Sequence, residues 1–232
     1  SPYLYCAGNP INFVDPDGLE THVVAQEDGT YKVVGGILNR DKNIYLVNGE
    51  GNYSTNADGI RISIGSTVTK WSFYNSDKKQ WAVGSVIDLT DKSGNDFLMK
   101  ASKSSLLEYI DKARTNHEWD FKVTNGYGEP KLGIDINRGM PVSSDDGNLL
   151  IASARDIGNM AAGYLSGKNG ISLISHRLVC DLYQMFNDVS KHKLPNIDGV
   201  SSRSAQRYGW EKGYFEYMRS LVNYQGMSTR VE

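Results

Sequence analysis

Residues 149–167 read LLIASARDIGNMAAGYLSG, and the period assigned to this stretch decides where the chain changes architecture. Its apolar opening, followed by Ala152, Ala154, Gly158, Ala161, Ala162 and Gly163, reads as one helix with a face of small residues. Each Gly in such a helix costs about 1 kcal/mol against Ala, and the small face lets another element approach closely. Arg155, Asp156 and Asn159 fall within one turn and its neighbour, so Asn159 shares a face with either of the other two. Two readings of that cluster stand. Asp156 is a general base or water-positioner, with Asn159 and Arg155 stabilising developing negative charge, or the three form a hydrogen-bond network that fixes a helix pair.

Downstream, Gly167 and Gly170 bracket a break. ISLISHRLVCDLYQMFNDV then sets Ile171, Ile174, Leu178, Leu182, Met185 and Phe186 at helical spacing, the stripe of a helix that packs on a core. Arg177 and Asp181, four residues apart, suit an ion pair worth about 0.3–0.5 kcal/mol. His176 is an acid/base partner if it faces Asp156, and otherwise a satisfied structural histidine. After the loop HKLPNIDG, a third helix over SSRSAQRYGWEKGYFEYMRSLVNY starts from Ser201 or Ser202 as N-cap. Arg203, Arg207 and Glu211 recur every four residues along it. They are a solvated salt-bridge face, or Arg207 is a bidentate clamp for phosphate or carboxylate.

Upstream the period is that of strands, from Glu20 to about Phe97. THVVAQEDGTYKVVGGILN gives two runs joined by Glu27-Asp28-Gly29, a hairpin signal. KNIYLVN, the alternating Ile60–Ile64, KWSFYN and QWAVGSVIDL supply further strands. Ser105 and Glu108 have capping-box spacing and open a helix to about Arg114, and HEWDFKV reads as one more strand. Gly126–Gly147 is a Gly/Pro/Asp-rich connection in which Arg138, just before a Gly, is placed to bind substrate. No internal repeat is apparent. The expected architecture is α+β, an antiparallel β-rich half over 20–125 packed with a bundle of about three helices over 149–225.

The bulk numbers are those of a folded chain: 232 residues, 39% apolar, 22% charged, no low-complexity tract. A net charge of −2 and a pI near 6.1 argue against wholesale coating of nucleic acid and leave room for a local basic patch. No apolar run approaches the roughly 18 residues of a membrane span. Cys6 and Cys180 read as buried thiols, with a disulfide as the alternative. His22, His117, His176 and His192 are scattered, so neither a metal nor a cofactor is expected. There is no nucleophile elbow, P-loop, dinucleotide glycine pattern or His-Glu-x-x-His.

The first 19 residues, SPYLYCAGNPINFVDPDGL, look like a cut edge rather than a start: Asn9-Pro10 and Asp15-Pro16-Asp17-Gly18 are turn signals around one short apolar run. YLYCAGNPINFVDPDGL resembles the carboxyl end of the RHS-repeat (YD-repeat) core, with a Tyr-rich strand, Asn-Pro, then Asp-Pro-x-Gly-Leu. That resemblance implies that residues 1–19 end a β-shell and 20–232 form its enclosed effector domain. It also implies an autocleavage motif, Asp15, Pro16, Gly18 and Leu19, with the cut between Leu19 and Glu20. The second Asp of that chemistry would lie upstream, so this chain is expected not to cleave itself. More faintly, Ala154-Arg155-Asp156-Ile157-Gly158-Asn159, Ala162-Gly163-Tyr164, Arg177, Asp181, Ala205-Gln206 and Gly209 are similar to the polymorphic toxin type 44 group.

What the resemblance implies is a toxin of interbacterial competition, secreted or delivered from the cell surface, with the RHS shell and a cognate immunity protein as partners. Three expectations follow. One is a metal-independent nuclease acting on RNA, with Asp156 or His176 as base and Arg155 or Arg207 on phosphate. The second is a cell-wall hydrolase with paired carboxylates such as Asp156 with Asp181 or Glu211. The third is a non-enzymatic surface-binding tip.

Overall fold

The front hairpin forms as its turn chemistry predicts. In the computed structural model, which describes residues 19–76, 78–143, 148–190 and 199–228, β1 (Leu19–Ala25) and β2 (Tyr31–Leu38) pair antiparallel. Asp28 accepts hydrogen bonds from the backbone and hydroxyl of Thr30, and Gly29 takes φ 85°. β3 (Asn43–Leu46), β4 (Ser63–Thr67), β7 (Val86–Ile87), β8 (Gly139–Val142) and β9 (Leu150–Ser153) complete a closed barrel in the order β1-β2-β7-β8-β9-β4-β3. β5 (Tyr74–Asn75) and β6 (Gln80–Trp81) form a separate ribbon. The helices are α1 (Ser93–Ser102), α2 (Leu106–Lys112), α3 (Phe121–Thr124), α4 (Ala154–Lys168), α5 (Leu173–Ser190) and α6 (Val200–Ser228).

This overturns the expected antiparallel half packed on a three-helix bundle. The barrel is mixed, with β1–β3, β7–β8 and β4–β9 parallel, and among the described residues six helices accompany it. Parallel neighbours need long crossovers, and the one from β7 to β8 carries α1, α2 and α3. Such pairings join residues far apart in the chain and leave no mark in local periodicity. HEWDFKV is not a strand either: Trp119 and Phe121 are buried in turns and in the single turn of α3.

The stretch 149–167 shows why the boundary was misread. Its first residues are strand β9, not helix. Ile151 fills the barrel interior with Val23, Val33, Ile44, Phe73 and Ile87, while Ala152 faces the helical core beside Met140 and Val142 of β8. A strand buried on both faces loses the alternation that identifies strands and reads as a plain apolar run. The helix starts only at Ala154, because Ser153 caps it: Ser153 Oγ accepts from the Asp156 amide at 3.3 Å, and the Asp156 carboxylate accepts from the Ser153 amide at 3.3 Å.

α4 meets α6 through glycines. A Cβ on Gly163 would come within 1.9 Å of the Gln206 carbonyl oxygen, and one on Gly209 within 2.0 Å of the Met160 carbonyl. α5 is a second correction. Its stripe, expected in the core, faces outward: Ile174 is 81% exposed and Leu178 60%, with Leu182 and Met185 exposed too, while the side chain of Phe186 lies outside the described residues. Periodicity identifies a face but not what covers it. Among the described residues no helix is long and apolar enough to cross a membrane. Cys6, Asp15, Pro16 and Gly18 lie outside the described residues, and Leu19 opens β1, paired with Leu38.

Candidate functional site

The polar residues singled out in the helical half act as fasteners. Asp156 is fully buried in the α4 cap, with Arg155 Nε 3.9 Å from its Oδ1. Arg155 Nη2 donates to the Trp71 carbonyl at 2.5 Å. Asn159 donates to the Arg155 carbonyl and accepts from Gln206 of α6. His176 Nδ1 lies 2.8 Å from Ser166 Oγ of α4, and burial, with Arg177 beside it, pushes the imidazole down to about 4. Asp181 accepts from Arg203 of α6 at 2.7 and 2.9 Å, and Arg207 pairs with Glu211 at 2.8 Å. Arg138 donates to the carbonyls of Phe121, Lys122 and Asp135 and to Asn125 Oδ1, closing the end of α3. Replacing Asp156 with Ala should therefore cost about 1–2 kcal/mol of stability in a denaturant melt and leave any catalytic rate unchanged within about twofold.

A different cluster forms on the outside of the barrel. Along β1, Leu19, Thr21 and Val23 turn inward, so Glu20 and His22 share the outer face. Glu20 is nonetheless 1% exposed, because an arm over residues 47–62 folds across it. That arm is an eight-residue repeat hidden in Val47-Asn48-Gly49-Glu50-Gly51-Asn52-Tyr53 and Thr55-Asn56-Ala57-Asp58-Gly59-Ile60-Arg61. Asn48 Oδ1 accepts from the amides of residues 50 and 52, and Asn56 Oδ1 from those of 58 and 60. Gly51 and Gly59 both take positive φ, 85° and 77°. Val47 bridges Tyr53, Thr55 bridges Arg61, and Leu46, Ser54 and Ile62 close a ring of three backbone hydrogen bonds. Tyr53 and Arg61 thus hold equivalent places in the repeat, and both end over Glu20.

The contacts are dense. Glu20 Oε1 meets His22 Nε2 at 2.6 Å and accepts from the Tyr53 hydroxyl; Oε2 accepts from Asn39 Nδ2 at 2.7 Å and lies 3.8 Å from Arg61 Nη1. The Arg61 guanidinium sits 3.9 Å from the Tyr53 ring centroid, which meets the His22 ring edge-on at 5.1 Å. Tyr45, beside His22 across the parallel pair, donates to Asp41 at 2.7 Å. Burial pushes the Glu20 carboxyl up, but hydrogen bonds from Tyr53, His22 and Asn39 outweigh it and hold the group below its ordinary range. Burial and the same carboxylate push Tyr53 up to about 12, so it stays a donor.

Glu20 therefore remains ionised and fixes the imidazole with the proton on Nε2, leaving Nδ1 as an acceptor. The His22 side chain keeps 15% of its surface and Arg61 51%. Gly35 stands opposite His22, with open space where a side chain would be. A hollow lined by Leu19, Leu38, Asn39 and Arg40 adjoins the cluster through Asn39. A held acid/base group beside a half-exposed guanidinium can deprotonate a hydroxyl next to an anion. In the sequence His22 is one of four scattered histidines; the signal for the cluster is the repeat that aligns Tyr53 with Arg61. Comparison with protein-family models, with curated proteins and with solved structures finds no match to this chain.

Proposed function

We propose that this chain is the effector end of an RHS-repeat protein and cleaves RNA without a metal ion, at Glu20, His22, Tyr53 and Arg61. The observation that carries the reading is the His22 ring held through Nε2 by a buried carboxylate, its side chain still 15% exposed, with the half-exposed Arg61 on the same carboxylate. In this reaction the 2′-hydroxyl of RNA attacks the adjacent phosphorus. His22 Nδ1 removes the hydroxyl proton, the imidazolium is stabilised by Glu20, and Arg61 neutralises the non-bridging oxygens in the transition state. The P–O bond to the 5′-oxygen breaks, and that oxygen takes a proton from solvent. The paired carboxylates of a cell-wall hydrolase find less support: Asp156 is sealed in a helix cap, and Asp181 and Glu211 are each neutralised by an arginine.

The test is cleavage of a labelled single-stranded RNA by the purified chain in EDTA. Cleavage is expected, with a 2′-deoxy residue at the scissile position resisting it. Arg61→Ala should lower kcat/KM by about 10²-fold, within the range seen on removing one charge-stabilising donor. Equal cleavage of the deoxy substrate, complete loss of activity in EDTA, or no cleavage at all would each reject the reading, the last favouring a binding tip.

A further inference from the structure

α5 is docked the wrong way round for a helix of its composition. Ile174, Leu178, Val179 and Leu182 face outward, while the one fully buried side chain between Leu173 and Met185 is His176, 4% exposed. Polar links hold the helix: His176 to Ser166 of α4, Asp181 to Arg203 of α6, and the Tyr183 hydroxyl accepting from the Thr115 amide at 3.2 Å. We infer that α5 is an acid-releasable helix, undocked from α4 when His176 gains a proton. The inference is independent of the RNA-cleavage reading.

The groups around His176 explain the direction. From its own helix come Arg177, of the same sign as an imidazolium, and Cys180, whose Sγ lies 3.6 Å from Nε2. From α4 comes Ser166, a neutral hydroxyl. From α2 comes Tyr109, near Cys180, its hydroxyl donating to the Gly158 carbonyl. From α6 comes the Arg203 that engages Asp181, one turn along from His176. A proton placed on His176 is therefore buried beside a like charge and faces a hydroxyl rather than a carboxylate.

Docked, His176 titrates at about 4; released into water it returns to its ordinary 6.5. A group whose folded value is depressed contributes fully above the unfolded value, and the contribution fades as pH falls from 6.5 toward 4. That interval shifts the docking equilibrium by on the order of 10²-fold.

Hydrogen exchange on the intact chain from pH 7 to pH 4, corrected for intrinsic rates, tests it. Protection in α5 should fall on the order of 10²-fold relative to amides of β1 and β3, and His176→Gln, neutral throughout, should abolish the fall. In a Cys6→Ser background, labelling of Cys180 by an acid-active disulfide reagent should accelerate over the same interval, which keeps the test open if the Gln variant does not fold. Protection and labelling unchanged to pH 4, barrel amides opening at the same pH, or a Gln variant that titrates like the parent would overturn it.

Discussion

His22→Ala should lower RNA cleavage by about 10²–10⁴-fold, the range that one positioned acid/base group supplies. The imidazole is the group placed to take a proton, and an Ala side chain cannot do so. The change should hardly disturb the fold, because His22 lies on the barrel's outer face and Glu20 keeps its bonds from Tyr53 and Asn39. Glu20→Gln separates positioning from proton transfer. The amide can still meet His22 Nε2 but no longer stabilises an imidazolium, so kcat should fall more than KM rises. A single-turnover assay across pH 5–8, with thermal melts as the folding control, reads both. An unchanged rate in His22→Ala would remove the cluster from catalysis whatever happens to Arg61→Ala.

The second large effect is on stability. Gly163→Val should destabilise the chain by about 3 kcal/mol or more, the upper end of overpacking costs. The first added carbon would stand 1.9 Å from the Gln206 carbonyl, and backbone, unlike the end of a flexible side chain, cannot swing aside. α6 must then move off α4, uncovering Met160, Ala161 and Ala205, all buried against that seam. Gly158 in the same helix is the control. A Cβ there meets nothing within 4 Å, so Gly158→Ala should stabilise by up to about 1 kcal/mol through helix propensity and unfolded-chain entropy. Urea denaturation followed by circular dichroism distinguishes them. Two variants equal in stability would refute the close-approach account.

The candidate site was harder to read than the elements around it. Hairpin β1–β2 was legible because Asp28 and Gly29 make their turn from neighbours alone. The helical spacing of 149–167 and 171–189 showed for the same reason, although the first of these helices starts only at Ala154. Glu20 and His22 could be seen to share a strand face, yet no local pattern says that a carboxylate on the outside of a barrel will be 1% exposed. That depends on an arm some 30 residues later, whose repeat is carried by Asn and Gly and has no apolar period to betray it. Asp156 shows the converse. Its carboxylate looked catalytic because the preceding residues read as helix; once Ser153 is seen to end a strand, the same carboxylate is a cap.

Sequence alone determined what depends on adjacent residues: turn chemistry, helix periods and the small residues that allow close approach. Tertiary structure alone decided which strands are parallel, that the sheet closes, that α5 turns its apolar face outward, and that Arg61 and Tyr53 stand over Glu20. The reason is range. Backbone conformation and capping are settled within a turn or two of the chain, whereas burial and the pKa of a carboxylate are set by whichever segment crosses above it.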